Sequence, residues 1–187
     1  MQQIKVKKSA ARIAQSALMA AVMCILAPIA IPIGPIPVTM GTFAVMLCGV
    51  ILSWRQAGTA LLVYLCLGAI GLPVYSGGGS GFGVLAGPTG GYLWSFLPMA
   101  ILISMLCSRA RSRAWVEVAL AVGACVLATL LCYLLGTWQF TMVAQTDWMN
   151  ALSVCVYPFI PFDLVKAILA SLLGVQVRRR LRMAGIQ

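Results

Sequence analysis

Asp163 and Lys166 are the residues of this chain best placed to hold a ligand. The 187-residue sequence has thirteen Lys and Arg, and only Lys166 lies deep within an apolar stretch. Asp163 comes three residues earlier, so on a helix the two share a face. The chain has just two other acids, Glu117 and Asp147. A charge inside a membrane costs about 2.5–3.5 kcal/mol on insertion scales, a cost that a buried partner, a ligand or a transport pathway offsets. Buried ion pairs stabilise poorly compared with apolar packing, so a ligand role is favoured over helix glue. The ammonium would meet a carboxylate. The aspartate would accept N–H groups from an amide or ureido unit, or orient the lysine. Pro158 and Pro161 precede the pair; they free backbone carbonyls and are expected to bend the segment that carries it.

Other chemistry is excluded by residue type. The chain has no histidine, which removes His-based triads, His metal sites and the usual general base. Three acids far apart in sequence disfavour a two-metal or paired-carboxylate site. The lysines stand at 5, 7, 8 and 166 only, so no phosphate-binding GxxxxGK[ST] loop can be written. Gly81-x-Gly83-x-x-Ala86 matches a loose dinucleotide pattern but has no βαβ unit around it and no acid about 20 residues on. The seven cysteines lie in or beside apolar runs without a CxxC. They are read as small packing hydrophobes, which disfavours a thiol oxidoreductase. No enzyme activity, cofactor or metal is expected.

The elements that position the pair follow from composition. The chain is 62% hydrophobic and 9% charged, with a mean hydropathy of +1.02. A soluble domain of this size could not bury so much apolar surface. The reading is a single-domain, all-α integral membrane protein spanning 1–187. Six apolar segments can be drawn, at roughly 13–31, 40–53, 57–72, 92–108, 115–139 and 148–177, of which the second to fourth are short for a span of about 20 residues. No small-residue cleavage site is followed by a soluble domain, so no cleavable signal is expected.

The net charge of +10 would suggest nucleic acid in a soluble protein. Here the cations flank apolar runs: Lys5, Lys7, Lys8 and Arg12; Arg55; Arg109, Arg111 and Arg113; Arg178, Arg179, Arg180 and Arg182. The alternate loops, 32–39, 73–91 and 140–147, hold no Lys or Arg. That alternation predicts six transmembrane helices with both termini cytoplasmic, and nucleic-acid binding is set aside because no basic face interleaved with aromatics exists.

The outward loops are unusual. Residues 31–38 are apolar and stiffened by Pro32, Pro35 and Pro37. Gly77-Gly78-Gly79-Ser80-Gly81-Phe82-Gly83 runs on to Gly87-Pro88-Thr89-Gly90-Gly91-Tyr92. Glycine there allows positive φ and close approach of backbone to a ligand, and a loop of this length is read as a binding loop or lid. Thr39 could present its hydroxyl to a ligand or cap the second helix. Ala17 and Ala21 form a small-xxx-small face on the first helix that another helix could approach closely.

Three motifs resemble one family. Ile36-Pro37-Val38-Thr39, Gly87-Pro88-Thr89-Gly90-Gly91-Tyr92 and Pro161-Phe162-Asp163-Leu164-Val165-Lys166 look like the BioY family, the biotin-specific S components of energy-coupling factor (ECF) transporters. The resemblance covers nearly the whole chain. It implies an ECF S-component-like fold in the bacterial inner membrane that captures biotin at its outer face. It also implies partners: a transmembrane T component and two cytoplasmic ATPases. By carry-over Asp163 and Lys166 hold polar ends of biotin, Tyr92 and the glycine loop with Gly78, Gly79 and Ser80 line the site together with Thr39, and Ala17 and Ala21 face the T component. Two departures stand out. Some members carry Asn where this chain has Gly79 or Ser80, and some carry Arg where it has Leu93; both are regarded as ligand contacts. Which polar group meets the biotin carboxylate is therefore left open. The alternatives are an S component for another vitamin, such as thiamin or riboflavin, and a structural membrane protein whose ion pair only holds helices together.

Overall fold

A computed structural model describes residues 2–32, 36–108 and 113–184, with side chains from residue 10 onward. Pro35 of the proline loop, the flank cations Arg109 and Arg111, and the side chains of Lys5, Lys7 and Lys8 lie outside the described residues. The described chain is built of helices, with one two-residue antiparallel ladder. Helix α1 is Gln2–Leu26, α2 Gly41–Ile51, α3 Trp54–Ala69, α4 Phe82–Ala86, α5 Gly90–Ser108, α6 Ala114–Ala144, α7 Trp148–Cys155 and α8 Ile160–Met183. Strands β1 (Ala30–Ile31) and β2 (Val38–Thr39) pair across the proline loop.

Three helices, α5, α6 and α8, are long and apolar enough to cross a membrane. Helix α5 begins at Gly90, so the fourth segment is longer than its apolar run suggests, and α6 continues to Ala144 because Gln139 and Thr141 are tolerated at its end. Helices α2 and α3, of 11 and 16 residues, reach about 16 and 24 Å at 1.5 Å per residue, short of a hydrocarbon core of about 30 Å.

Two boundaries correct the sequence reading. The first segment, drawn to 31, stops as a helix at Leu26. Pro28 follows, lacks an N–H and cannot continue the ladder. The sixth segment, drawn as one bent helix, is two: α7 ends at Cys155 and α8 begins at Ile160. Pro161 sits in the first turn of α8, where the missing N–H costs no helix bond. The break leaves Asp163 in the first turn as well, where the positive end of the helix dipole favours a carboxylate.

Helices α5 and α6 form the largest packed pair; α2 lies against α8 and α5, α3 against α1 and α5, and α8 against α6. Tyr64, Met46, Val45, Met99 and Ile103 are fully buried where these helices meet. The seven cysteines are free thiols, five of them buried. At the end away from the glycine loop, Glu117 in the first turn of α6 is buried and accepts from Arg179 Nε at 3.1 Å and Arg182 Nη1 at 3.5 Å. This ties α6 to the last turns of α8. The arginines are partly exposed, at 35% and 24%, so the loss on Glu117→Gln should fall between the ~1 kcal/mol of exposed pairs and the ~3–5 kcal/mol of a broken buried pair. The expected result is a lower melting temperature in detergent; an unchanged one would mean that the contact contributes nothing to stability.

Candidate functional site

The site is built around one lysine. Lys166 Nζ donates to the Thr39 carbonyl at 2.8 Å, to Thr42 Oγ1 at 3.0 Å and to Asp163 Oδ1 at 2.9 Å. An ammonium has three N–H groups, and each has a protein acceptor here. Thr42 Oγ1 donates to Asp163 Oδ1 at 3.0 Å, and Tyr133 Oη donates to Asp163 Oδ2 at 2.7 Å. Asp163 and Lys166 retain 4% and 8% of their exposure, so the pair is nearly desolvated and depends on these hydrogen bonds. Three separate elements converge on α8: β2 brings Thr39, the start of α2 brings Thr42, and α6 brings Tyr133.

The hub forms one wall of a cavity of about 310 Å³, at the small end of the range for ligand pockets. Its other walls are mainly apolar or aromatic, with Ile36, Val84, Leu93, Phe96 and Phe159 among them. Both cation-free loops border it, through Pro37 on one side and Ser76, Gly79 and Thr89 on the other.

The glycine loop is more ordered than a plain connector. It contains a 3-10 turn at Ser76–Gly78 and the short helix α4, with Gly77, Gly78 and Gly81 at φ of 63°, 79° and 85°, conformations that other residues rarely adopt. Tyr75 anchors its start by donating to the Leu65 carbonyl at 2.6 Å, and burial raises its phenol pKa above the ordinary value, so it stays a neutral donor. Gln139 anchors its end: Nε2 donates to the Leu85 and Gly87 carbonyls, both at 2.9 Å.

The predicted site residues fall into three groups. Asp163, Lys166, Tyr92, Thr39 and Gly79 line the cavity; Gly78 and Ser80 do not. Thr39 uses its side-chain oxygen to accept the Gly41 N–H at 3.2 Å and its carbonyl to hold Lys166. The Tyr92 hydroxyl bonds the Cys155 carbonyl at 3.3 Å and lies 3.5 Å from Thr137 Oγ1, so its ring, not its hydroxyl, is left for the cavity. That ring packs where any side chain on Gly136 would collide with it. Ala17 and Ala21 stand on the exposed side of α1, away from the cavity.

Sequence reasoning missed Thr42, Tyr133, Tyr64 and Ser76. Signals for two of them were present. Thr42 is a hydroxyl just inside the second apolar segment, where a buried polar group needs a partner. Tyr133 is a lone phenol inside a long apolar helix, where its polar tip needs a partner.

The BioY family model matches residues 1–183. The chain is 40% identical over 140 residues to biotin transporter BioY2 of Lactococcus lactis subsp. cremoris, covering 75% of each chain. It is 36% identical over 137 residues to biotin transporter BioY of Thermotoga maritima, covering 73% of this chain and 78% of that one. The crystal structure of the S-component for biotin from an ECF-type ABC transporter superposes with a TM-score of 0.81 at 26% identity, covering 96% of this chain and 94% of that one.

Proposed function

Because this chain belongs to the BioY family, we propose that it is the biotin-binding S component of an ECF-type transporter, a multi-pass membrane protein that captures the vitamin for uptake. Its role is binding and not catalysis. The observation that carries this reading is the Asp163–Lys166–Thr42–Tyr133 hub on the wall of an otherwise apolar cavity. A compact ureido bicycle with an aliphatic chain suits such a pocket, which needs few placed polar groups.

The geometry favours one assignment of roles. Lys166 has no N–H to spare, so it neutralises and orients Asp163. A carboxylate has about four acceptor positions, and Asp163 uses three, which leaves one beside the Tyr133 bond for a ureido N–H. Thr39, Thr42 and Tyr133 hold the pair, while Tyr92 and Gly79 shape the wall. Gly78 and Ser80 serve the loop's fold.

The topology in this reading is six spans in one domain, with α7 and α8 together forming the sixth and both termini cytoplasmic. The cavity is bordered by the two outward loops that carry no cations, so it faces outward. In a bacterium the membrane is the inner one. The chain has no phosphate-binding lysine loop, so energy comes from partners, a transmembrane T component and two ATPases. Exposed Ala17 and Ala21 suit the T component.

The test is equilibrium binding of biotin, thiamin and riboflavin to the purified protein in detergent. Saturable binding of biotin alone, one per chain, is expected. A folded protein that binds none of the three, or binds another vitamin instead, overturns the assignment.

A further inference from the structure

The cavity has no spare positive charge. Among the described residues that line it, Asp163 and Lys166 alone are charged, and they are bonded to each other. The bordering loops, 32–39 and 73–91, contain no Lys or Arg at any position, so no cation can come from that side. Leu93 is apolar and buried in the wall. Burying a carboxylate without a counter-ion is costly, so a charged ligand tail gains nothing here from being charged.

Two hydroxyls on another part of the lining have no protein partner among the described residues. They are Tyr64 Oη and Ser76 Oγ, both buried. Tyr64 is 0% exposed, and its ring is fixed edge-on to Tyr75 at 5.7 Å and 76°. Tyr64 lies on α3 and Ser76 in the turn that follows it, whereas the ion pair lies on α8, so these hydroxyls and the ion pair line the cavity from different elements. A buried hydroxyl left without a partner carries a desolvation cost, and a ligand oxygen that reaches it removes that cost.

We propose that Tyr64 and Ser76 hold the tail of the ligand through neutral hydroxyl donors, and that the protein accepts ureido-headed ligands with an uncharged amide tail about as well as the carboxylate. This rests on the biotin reading above. A hydroxyl donor bonds an anionic acceptor more strongly than a neutral one, but the carboxylate loses more hydration on entering. The two effects oppose, and discrimination is small. The class of ligand is defined by its ureido head, and the tail is read by hydrogen bonding.

The experiment is competition of labelled biotin by unlabelled biotin and by biotinamide, on wild type, Tyr64→Phe and Ser76→Ala in detergent, with apo melting curves alongside. Biotinamide is expected within roughly tenfold of biotin on the wild type. Each variant should weaken both ligands by roughly tenfold, the size of one hydrogen bond. Each apo variant should melt at or above the wild type, because a buried orphan hydroxyl has gone; a merely structural hydroxyl would give the opposite shift. Biotinamide weaker than biotin by roughly a hundredfold or more would reveal a charge-reading tail site and overturn the proposal, as would variants with wild-type affinity. A folded wild type that binds no biotin overturns the reading beneath it, and this inference with it.

Discussion

Lys166→Met is expected to weaken biotin binding by at least roughly a hundredfold and to destabilise the protein by about 3–5 kcal/mol, the cost of leaving one buried charge unpaired. The side chain satisfies the Thr39 carbonyl, Thr42 and Asp163 together, so its removal loosens the β2–α2 junction and α8 at once. Fold and binding can be separated by a second substitution. In the double variant Lys166→Met/Asp163→Leu no orphan charge remains, and replacing a buried pair by apolar side chains is often neutral or stabilising. Stability should return in part, short of the wild type because the Thr39 carbonyl and the Thr42 and Tyr133 hydroxyls lose these partners, and binding should not return, because the proposed ureido acceptor is gone. Lys8→Ala, on a flank cluster, should leave both unchanged. Melting curves and biotin titrations in detergent decide the matter. Wild-type affinity in Lys166→Met, or binding restored in the double variant, would remove the pair from the site.

Ala17→Trp/Ala21→Trp should abolish biotin uptake while leaving biotin binding to the isolated protein intact. Both alanines are exposed on α1, while Met19, Ala20 and Met23 on its other side are buried in the core. The substitutions therefore disturb no internal packing. Small residues allow a second helix to approach closely, and an indole at either position prevents it. The measurement is labelled biotin uptake by cells that also express a T component and the ATPases, paired with binding to the purified variant. Leu127→Trp, at a large exposed position on α6, is the control. Full uptake by the double alanine variant would move the coupling surface elsewhere on the molecule.

The helical, membrane-embedded character of the chain was legible from hydropathy, because residues facing lipid and residues facing the core are equally apolar. The positions of breaks were less so. The apolar run through 148–177 predicts one segment bent at Pro158 and Pro161, yet it is split in two there, and the split puts Asp163 at a helix start. The glycine loop hid α4, because a five-residue helix of Phe82–Ala86 has too little pattern to stand out among glycines. Asp163 and Lys166 were conspicuous as charges among apolar residues. Their neighbours were not: Thr42 and Tyr133 are ordinary residues in apolar helices, and only the crossing of α2, α6 and α8 brings their hydroxyls to one carboxylate. Gly78 and Ser80 were grouped with Gly79 by sequence proximity, but the turn at Ser76–Gly78 sends only some of these residues to the cavity.

One bond in the hub has a consequence for how this sequence can drift. Lys166 reaches residue 39 through a main-chain oxygen, which every amino acid supplies. It reaches residue 42 through a side-chain hydroxyl, which at that reach only threonine or serine supplies. A mutation at 39 can therefore alter the capping of α2 and the cavity wall without disarming the lysine, whereas most codon changes at 42 remove an acceptor from the lysine and a donor from the aspartate in one step. Two threonines three residues apart, alike in the sequence, are under different mutational constraint: the first is free to be tried as other residues, the second is nearly fixed by its chemistry.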